Sequence, residues 1–173
     1  MQKFKIPESE FHQSIRGYCA GSLYNQMIDN DRIRVVTADL GYGMFDKIRD
    51  EFPDRFYNVG ASEQAGMGIC IGMALDGLIP FFYSISSFLI YRPFEFIRNY
   101  VDHERIPVRL IGSGFDDDYK HDGITHQPFG LQFLMECEFP NVKTLHPDMK
   151  EQVPDYVKWM VENDQPSFIC LRR

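Results

Sequence analysis

A chain of 173 residues is long enough to bury a core but short for a complete enzyme with a large cofactor, so one domain over residues 1–173 is expected. Hydrophobic and charged fractions of 44% and 25% are those of an ordinary globular protein and argue against disorder or repeats. A formal charge of -7 argues against a phosphate-backbone binder, and charges and prolines interrupt every apolar run before it reaches membrane-span length.

The N-terminal MQKFKIPESEF has no apolar stretch suited to a signal peptide, so a cytoplasmic protein without nucleic-acid or membrane partners is expected. From Glu8 to Ile28, apolar residues recur at three- and four-residue spacing, which predicts an amphipathic helix. Ile33 to Ala38 is a compact β-branched run that ends at Asp39, Gly41 and Gly43, as a parallel strand entering a loop would. A short helix from Met44 to Glu51 and a short strand from Arg55 to Val59 follow. Ser62 is placed to cap a helix rich in Gly and Ala, whose low propensity demands close packing against a sheet or another subunit.

Farther along, strands are expected at Ile79–Ile85, Val108–Ile111, Val142–Leu145 and Ser167–Leu171. Helices are expected at Arg92–Val101, Pro128–Glu138 and Met149–Val161, with a long polar loop, GSGFDDDYKHDGITHQP, before the second of these. The alternation, with strands apolar on both faces, predicts a doubly wound α/β domain with a mostly parallel sheet covered by helices on both faces. Cys19, Cys70, Cys137 and Cys170 form no C-x-x-C pair and are read as small buried apolar residues; no metal site is read from the sequence.

Periodicity goes no further, because this architecture hosts many chemistries. Three segments carry more: RFYNVGASEQAGMGICIGMALDGLIPFFYSISSF, PVRLIGSG and DGITHQP. Their order and spacing resemble the pyrimidine-binding domain of transketolases and deoxyxylulose-phosphate synthases over about Arg34 to Arg173. Singly G-x-S-E-Q is a weak motif; joined to Phe88, 25 residues after Glu63 (88 − 63), and to D-G-x-T-H-Q, it is specific.

The resemblance implies thiamine diphosphate as cofactor, with Mg²⁺. It implies that Glu63 hydrogen-bonds the pyrimidine N1′ and so favours the imino tautomer that removes the thiazolium C2 proton. That task calls for an enclosed, apolar place that disfavours the charged carboxylate. On local sequence alone Glu63 reads first as an acidic residue in the first turn of a helix; the downstream motifs favour the functional reading. Phe88 falls where the family stacks a ring on the aminopyrimidine, although with fifteen phenylalanines it could simply be core. Tyr91 and Arg92 fall in the region that reaches pyrimidine or substrate, with an alignment offset by a residue. Asp122 and His126 resemble the pair that lines the substrate channel, where a histidine can donate a hydrogen bond or move a proton; Asp122-Gly123 as a turn and Thr125 as a helix cap are compatible with that. Asp39, in A-D-L, resembles a segment beside the cofactor, although a strand-to-helix turn with Gly supplying positive φ accounts for Asp39 and Gly41 more simply.

The family's diphosphate motif, G-D-G with a downstream asparagine, has no counterpart here, and the family's third domain has none either. Magnesium diphosphate needs oxygen ligands in near-octahedral geometry, so the resemblance implies a second chain that holds Mg²⁺ and diphosphate, joined to this one in an α2β2 assembly. Asp116, Asp117 and Asp118 make the loop acidic where sugar-phosphate relatives carry cations. The leading expectation is transfer of a two-carbon ketol unit between sugars by a split enzyme. A subunit of a two-chain 2-oxo acid decarboxylase and a non-catalytic partner subunit remain open.

Overall fold

The computed structural model describes residues 3–115 and 117–172. Six strands, β1 (Ile33–Thr37), β2 (Phe56–Asn58), β3 (Ile79–Ile85), β4 (Arg109–Ser113), β5 (Lys143–Leu145) and β6 (Ser167–Leu171), form one sheet in the order β2-β1-β3-β4-β6-β5. Every pairing is parallel. Because side chains alternate across a strand, this sheet separates two apolar layers. Ile33, Val35, Phe81, Tyr83, Ile111 and Ile169 face one, where α1 (Ile15–Asp29), α2 (Asp46–Glu51) and α7 (Val153–Glu162) pack. Val36, Phe82, Leu110 and Phe168 face the other, covered by α3 (Glu63–Leu75), α4 (Ser86–Tyr91) and α6 (Leu131–Cys137). A short turn, α5 (Phe94–Phe96), continues as a π-helix over Ile97–His103 on that same side. Among the described residues no helix is long and apolar enough to cross a membrane.

Several boundaries differ from the sequence expectation for physical reasons. The opening helix starts at Ile15, because Ser14 accepts a hydrogen bond from the Gly17 amide and caps it there; Glu8–Glu10 form a separate 3-10 turn. The helix expected at Arg92–Val101 already begins at Ser86, directly out of β3, and Pro93 breaks it, so that Arg92 is the C-terminal cap of α4. Ser62 stands at the N-cap of α3, but its side chain caps nothing. Thr125 does not cap α6, which begins after Gly130 in a left-handed conformation. Cys19, Cys70 and Cys170 are buried, whereas Cys137 is exposed. Burial pushes the Cys19 thiol up to about 12, which leaves it inert at neutral pH.

The small residues of α3 split between two uses. A Cβ on Gly66 would lie 2.6 Å from the Phe82 ring, so this glycine brings the helix onto its own sheet. Gly72 faces open space, on the same side as exposed Ala65 and Ile69, and Gly68 rests on Phe96. Of the two neighbours the sequence allowed, a sheet or another subunit, Gly66 meets its own sheet.

Arg109 is the largest fully buried side chain. Its Nε donates to the Met160 carbonyl and its Nη2 to the Asn163 carbonyl, both at 2.9 Å, so the end of α7 is bound to the middle of the sheet. Burial draws the guanidinium down to about 10, still charged at neutral pH. Arg109→Met keeps most of the volume but strands both carbonyls, and a loss of about 3 kcal/mol is expected in chemical denaturation. An unchanged unfolding midpoint would show that water or α7 itself satisfies them.

Candidate active site

In an open parallel sheet the carboxyl ends of neighbouring strands whose connections diverge leave a crevice. Here β1 leads outward to β2 and β3 leads the other way to β4, so the crevice lies above the ends of β1 and β3. Glu63, first residue of α3, reaches into it from the crossover that follows β2, and its side chain is only 2% exposed. Ser84, near the end of β3, donates a long hydrogen bond of 3.4 Å to Glu63 Oε1. Arg92 Nη1 donates to Glu63 Oε2 at 2.6 Å.

The same guanidinium lies over the Phe88 ring, with Cζ 3.6 Å from its centroid. Phe88 sits in the first turns of α4, half-buried, and the His126 ring meets it at 4.7 Å with an interplanar angle of 62°. Glu63, Arg92, Phe88 and His126 thus form one continuous cluster, although the sequence spreads them over 64 positions (126 − 63 + 1). Beside it, Ala61, Ser62, Gln64 and Ala65 join Glu63 and Arg92 around an open concavity of about 600 Å³.

The long loop is tied to α4 rather than free. Ser87 donates to the Thr125 carbonyl at 2.8 Å, and the Tyr91 hydroxyl to the Phe129 carbonyl. Burial pushes the Tyr91 phenol up, so it remains a donor. Thr125 Oγ1 lies 3.1 Å from His126 Nδ1, which orients the imidazole. Asp122 ends a 3-10 turn and is exposed, before Gly123 at a φ of 91°. Asp117 and Asp118 belong to this loop; Asp116 lies outside the described residues.

Asp39 stands past the end of β1 with a φ of 55°, a left-handed conformation that a short polar side chain tolerates. Its amide donates to Asn58 at 3.0 Å and its carboxylate accepts from Tyr42 at 2.5 Å. The structure therefore brings Glu63, Phe88, Arg92 and His126 together, and sets Asp39, Tyr91 and Asp122 at separate anchor points around them.

A second cavity of about 590 Å³ lies between α1 and the loop from Leu40 to Met44, with Tyr83 and Tyr119 also in its wall. Tyr119 joins the two regions, since its ring is 6.4 Å from that of His126 and its hydroxyl 2.8 Å from Ser113 Oγ. Arg16 lines this cavity with a buried Nε that has no hydrogen-bond partner. Sequence reasoning missed Arg16 and Tyr119. Arg16 passes for a polar-face residue of an amphipathic helix, and Tyr119 sits in a loop with no motif of its own.

Residues 13–173 match the family model described as "Transketolase, pyrimidine binding domain". This chain belongs to that family. A 1-deoxy-D-xylulose-5-phosphate synthase of Clostridium perfringens is 33% identical over 144 residues, 80% of this chain and 22% of that protein. A putative transketolase C-terminal section of Methanocaldococcus jannaschii is 29% identical over 147 residues, 83% of this chain and 45% of that one. A solved structure described as a split gene transketolase, inactive beta4 tetramer, superposes with a TM-score of 0.81 at 28% identity and covers 92% of this chain and 51% of its own. The chain spans less than half the length of these two curated relatives. The six-stranded parallel sheet is the sheet of a transketolase pyrimidine domain, and the family uses thiamine diphosphate.

Proposed function

We propose that this pyrimidine domain is one half of a two-chain thiamine-diphosphate enzyme that transfers a two-carbon ketol unit between sugars, with a second chain holding the diphosphate and Mg²⁺. The observation that carries the reading is the slot between the buried Glu63 carboxylate and the Phe88 ring. It already contains a flat, hydrogen-bonding group, the Arg92 guanidinium, so its dimensions suit an aminopyrimidine plate.

When bound, thiamine diphosphate would supply a nucleophilic carbon for the donor carbonyl. Glu63 hydrogen-bonds the pyrimidine N1′ and exchanges a proton with it, in a place from which water is largely excluded. Phe88 supplies the stacking face. His126, held against Phe88 by the Ser87–Thr125 tether, offers its imidazole to a donor oxygen, and Asp122 stands at the outer edge of the same loop. Asp39 and Tyr91 frame the cofactor side. Arg16 offers the adjoining cavity a buried N–H and a positive charge, which offsets the acidic loop for an anionic substrate.

Partnering is supported by the names of the two partial relatives, a split-gene transketolase and a transketolase C-terminal section. Self-association is supported by the outer face of α3, where Ile69 and Leu75 are 43% and 70% exposed beside Gly72. Two copies of this chain with two of the partner are expected. Co-expression with a chain carrying G-D-G should yield thiamine-dependent ketol transfer, and light scattering should report the heterotetramer. A one-to-one heterodimer with full activity would overturn the stoichiometry; a reconstituted complex that decarboxylates 2-oxo acids without transferring ketol units would overturn the reaction.

A further inference from the structure

Two groups cannot share the slot at Glu63. The Arg92 guanidinium is planar and delocalised, with N–H donors along its edge and faces that stack on aromatic rings. It engages both groups at once: Nη1 donates to Glu63 Oε2 at 2.6 Å and Cζ lies over the Phe88 ring, 3.6 Å from its centroid. An aminopyrimidine stacked on Phe88 and hydrogen-bonded to Glu63 requires the same face and the same carboxylate. At 3.6 Å the stack is already at contact distance, so no second plate fits between guanidinium and ring.

The pair is asymmetric in exposure. Glu63 is 2% exposed and fixed on α3, whereas Arg92 is 43% exposed and hangs from the last turn of a two-turn helix that Pro93 cuts short. Only the arginine can leave, and the open concavity of about 600 Å³ that it lines gives it somewhere to go. Its presence also solves a problem of the empty slot, because a carboxylate buried alone is costly to the fold.

We infer that Arg92 is a latch, standing in for the aminopyrimidine in the cofactor-free chain, keeping Glu63 paired, and swinging out when the cofactor's pyrimidine enters. This rests on the reading of Glu63 and Phe88 as the pyrimidine slot. Occupancy of the latched state lowers the apparent affinity by the fraction of chains that are unlatched at any moment.

The test uses the 173-residue chain and a neutral probe, 4-amino-5-hydroxymethyl-2-methylpyrimidine, which has neither the diphosphate nor the thiazolium charge. Arg92→Leu should bind it roughly tenfold more tightly than wild type, since only unlatched chains bind. Arg92→Lys keeps the charge but loses the flat plate, and should fall between the two. In wild type the Arg92 side-chain N–H resonance should carry a ring-current shift from Phe88, and should lose it as the probe is added. Equal or weaker binding by Arg92→Leu and Arg92→Lys, with Phe88→Ala still abolishing binding, would sink the latch and leave the slot standing. If none of these chains binds the probe up to its solubility, the slot itself is wrong and the latch falls with it.

Discussion

Replacing Glu63 with Gln should lower turnover of the reconstituted enzyme by about two to four powers of ten, the scale lost when a positioned proton-transfer group is removed. Glutamine keeps the size of glutamate and can still meet the hydroxyl of Ser84, but it cannot exchange a proton with a pyrimidine nitrogen. The exchange of the cofactor C2 proton into D₂O, followed in the assembled complex, reads that step without the rest of the cycle. Burial makes the substitution informative. A carboxylate 2% exposed, at the first residue of α3 and bonded by Ser84, is held in one geometry, so a change of chemistry there is not masked by rearrangement. Assembly should survive, because the amide removes a buried charge rather than adding one, although Arg92 loses its ionic partner. A Gln variant that exchanges the C2 proton as fast as wild type would reduce Glu63 to a helix-end carboxylate.

The chain without its partner should show no thiamine-dependent turnover and should bind the cofactor feebly. The reason is the distribution of binding energy over the cofactor. A slot made by one carboxylate and one ring grips the pyrimidine, whereas the doubly charged diphosphate needs Mg²⁺ and a set of oxygen ligands at fixed positions. The sequence has no G-D-G to supply them, and Asp117 and Asp118 make the loop before His126 acidic, which does not favour an anion. Calorimetry should find no tight, Mg²⁺-dependent binding of one cofactor per chain. Micromolar binding that needs Mg²⁺ would place a diphosphate site on this chain and remove the case for a partner.

How much of this was legible in the residues varies by element. The core strands were read nearly to the residue, because Ile33–Thr37, Ile79–Ile85 and Ser167–Leu171 are apolar runs buried on both faces. The start of α4 was not, because β3 passes into a helix at Ser86 with no glycine or proline between them. Gly66 could be recognised as a close-approach residue, but the sequence could not say whether a sheet or a second subunit came close. The answer, the Phe82 ring, is 16 residues away (82 − 66) and on a strand.

The same division holds at the site. By itself the sequence determined the alternation of strand and helix, and with it a parallel sheet, since hydrophobic period and turn residues are local properties. It also marked Glu63, Phe88 and His126, because residue types at characteristic spacings survive as a linear pattern. Only the tertiary structure decided that Arg92 pairs with Glu63 and covers Phe88, that Ser87 and Tyr91 bind the long loop to α4, and that Arg16 and Tyr119 line a neighbouring cavity. The ion pair and the two loop tethers join residues 29 and 38 positions apart (92 − 63, 125 − 87 and 129 − 91), and their partners are chosen by how the sheet stacks its crossovers. A charge on a helix end looks the same in sequence whether it meets water, a substrate or a buried carboxylate; burial and distance, which belong to the fold, separate the three.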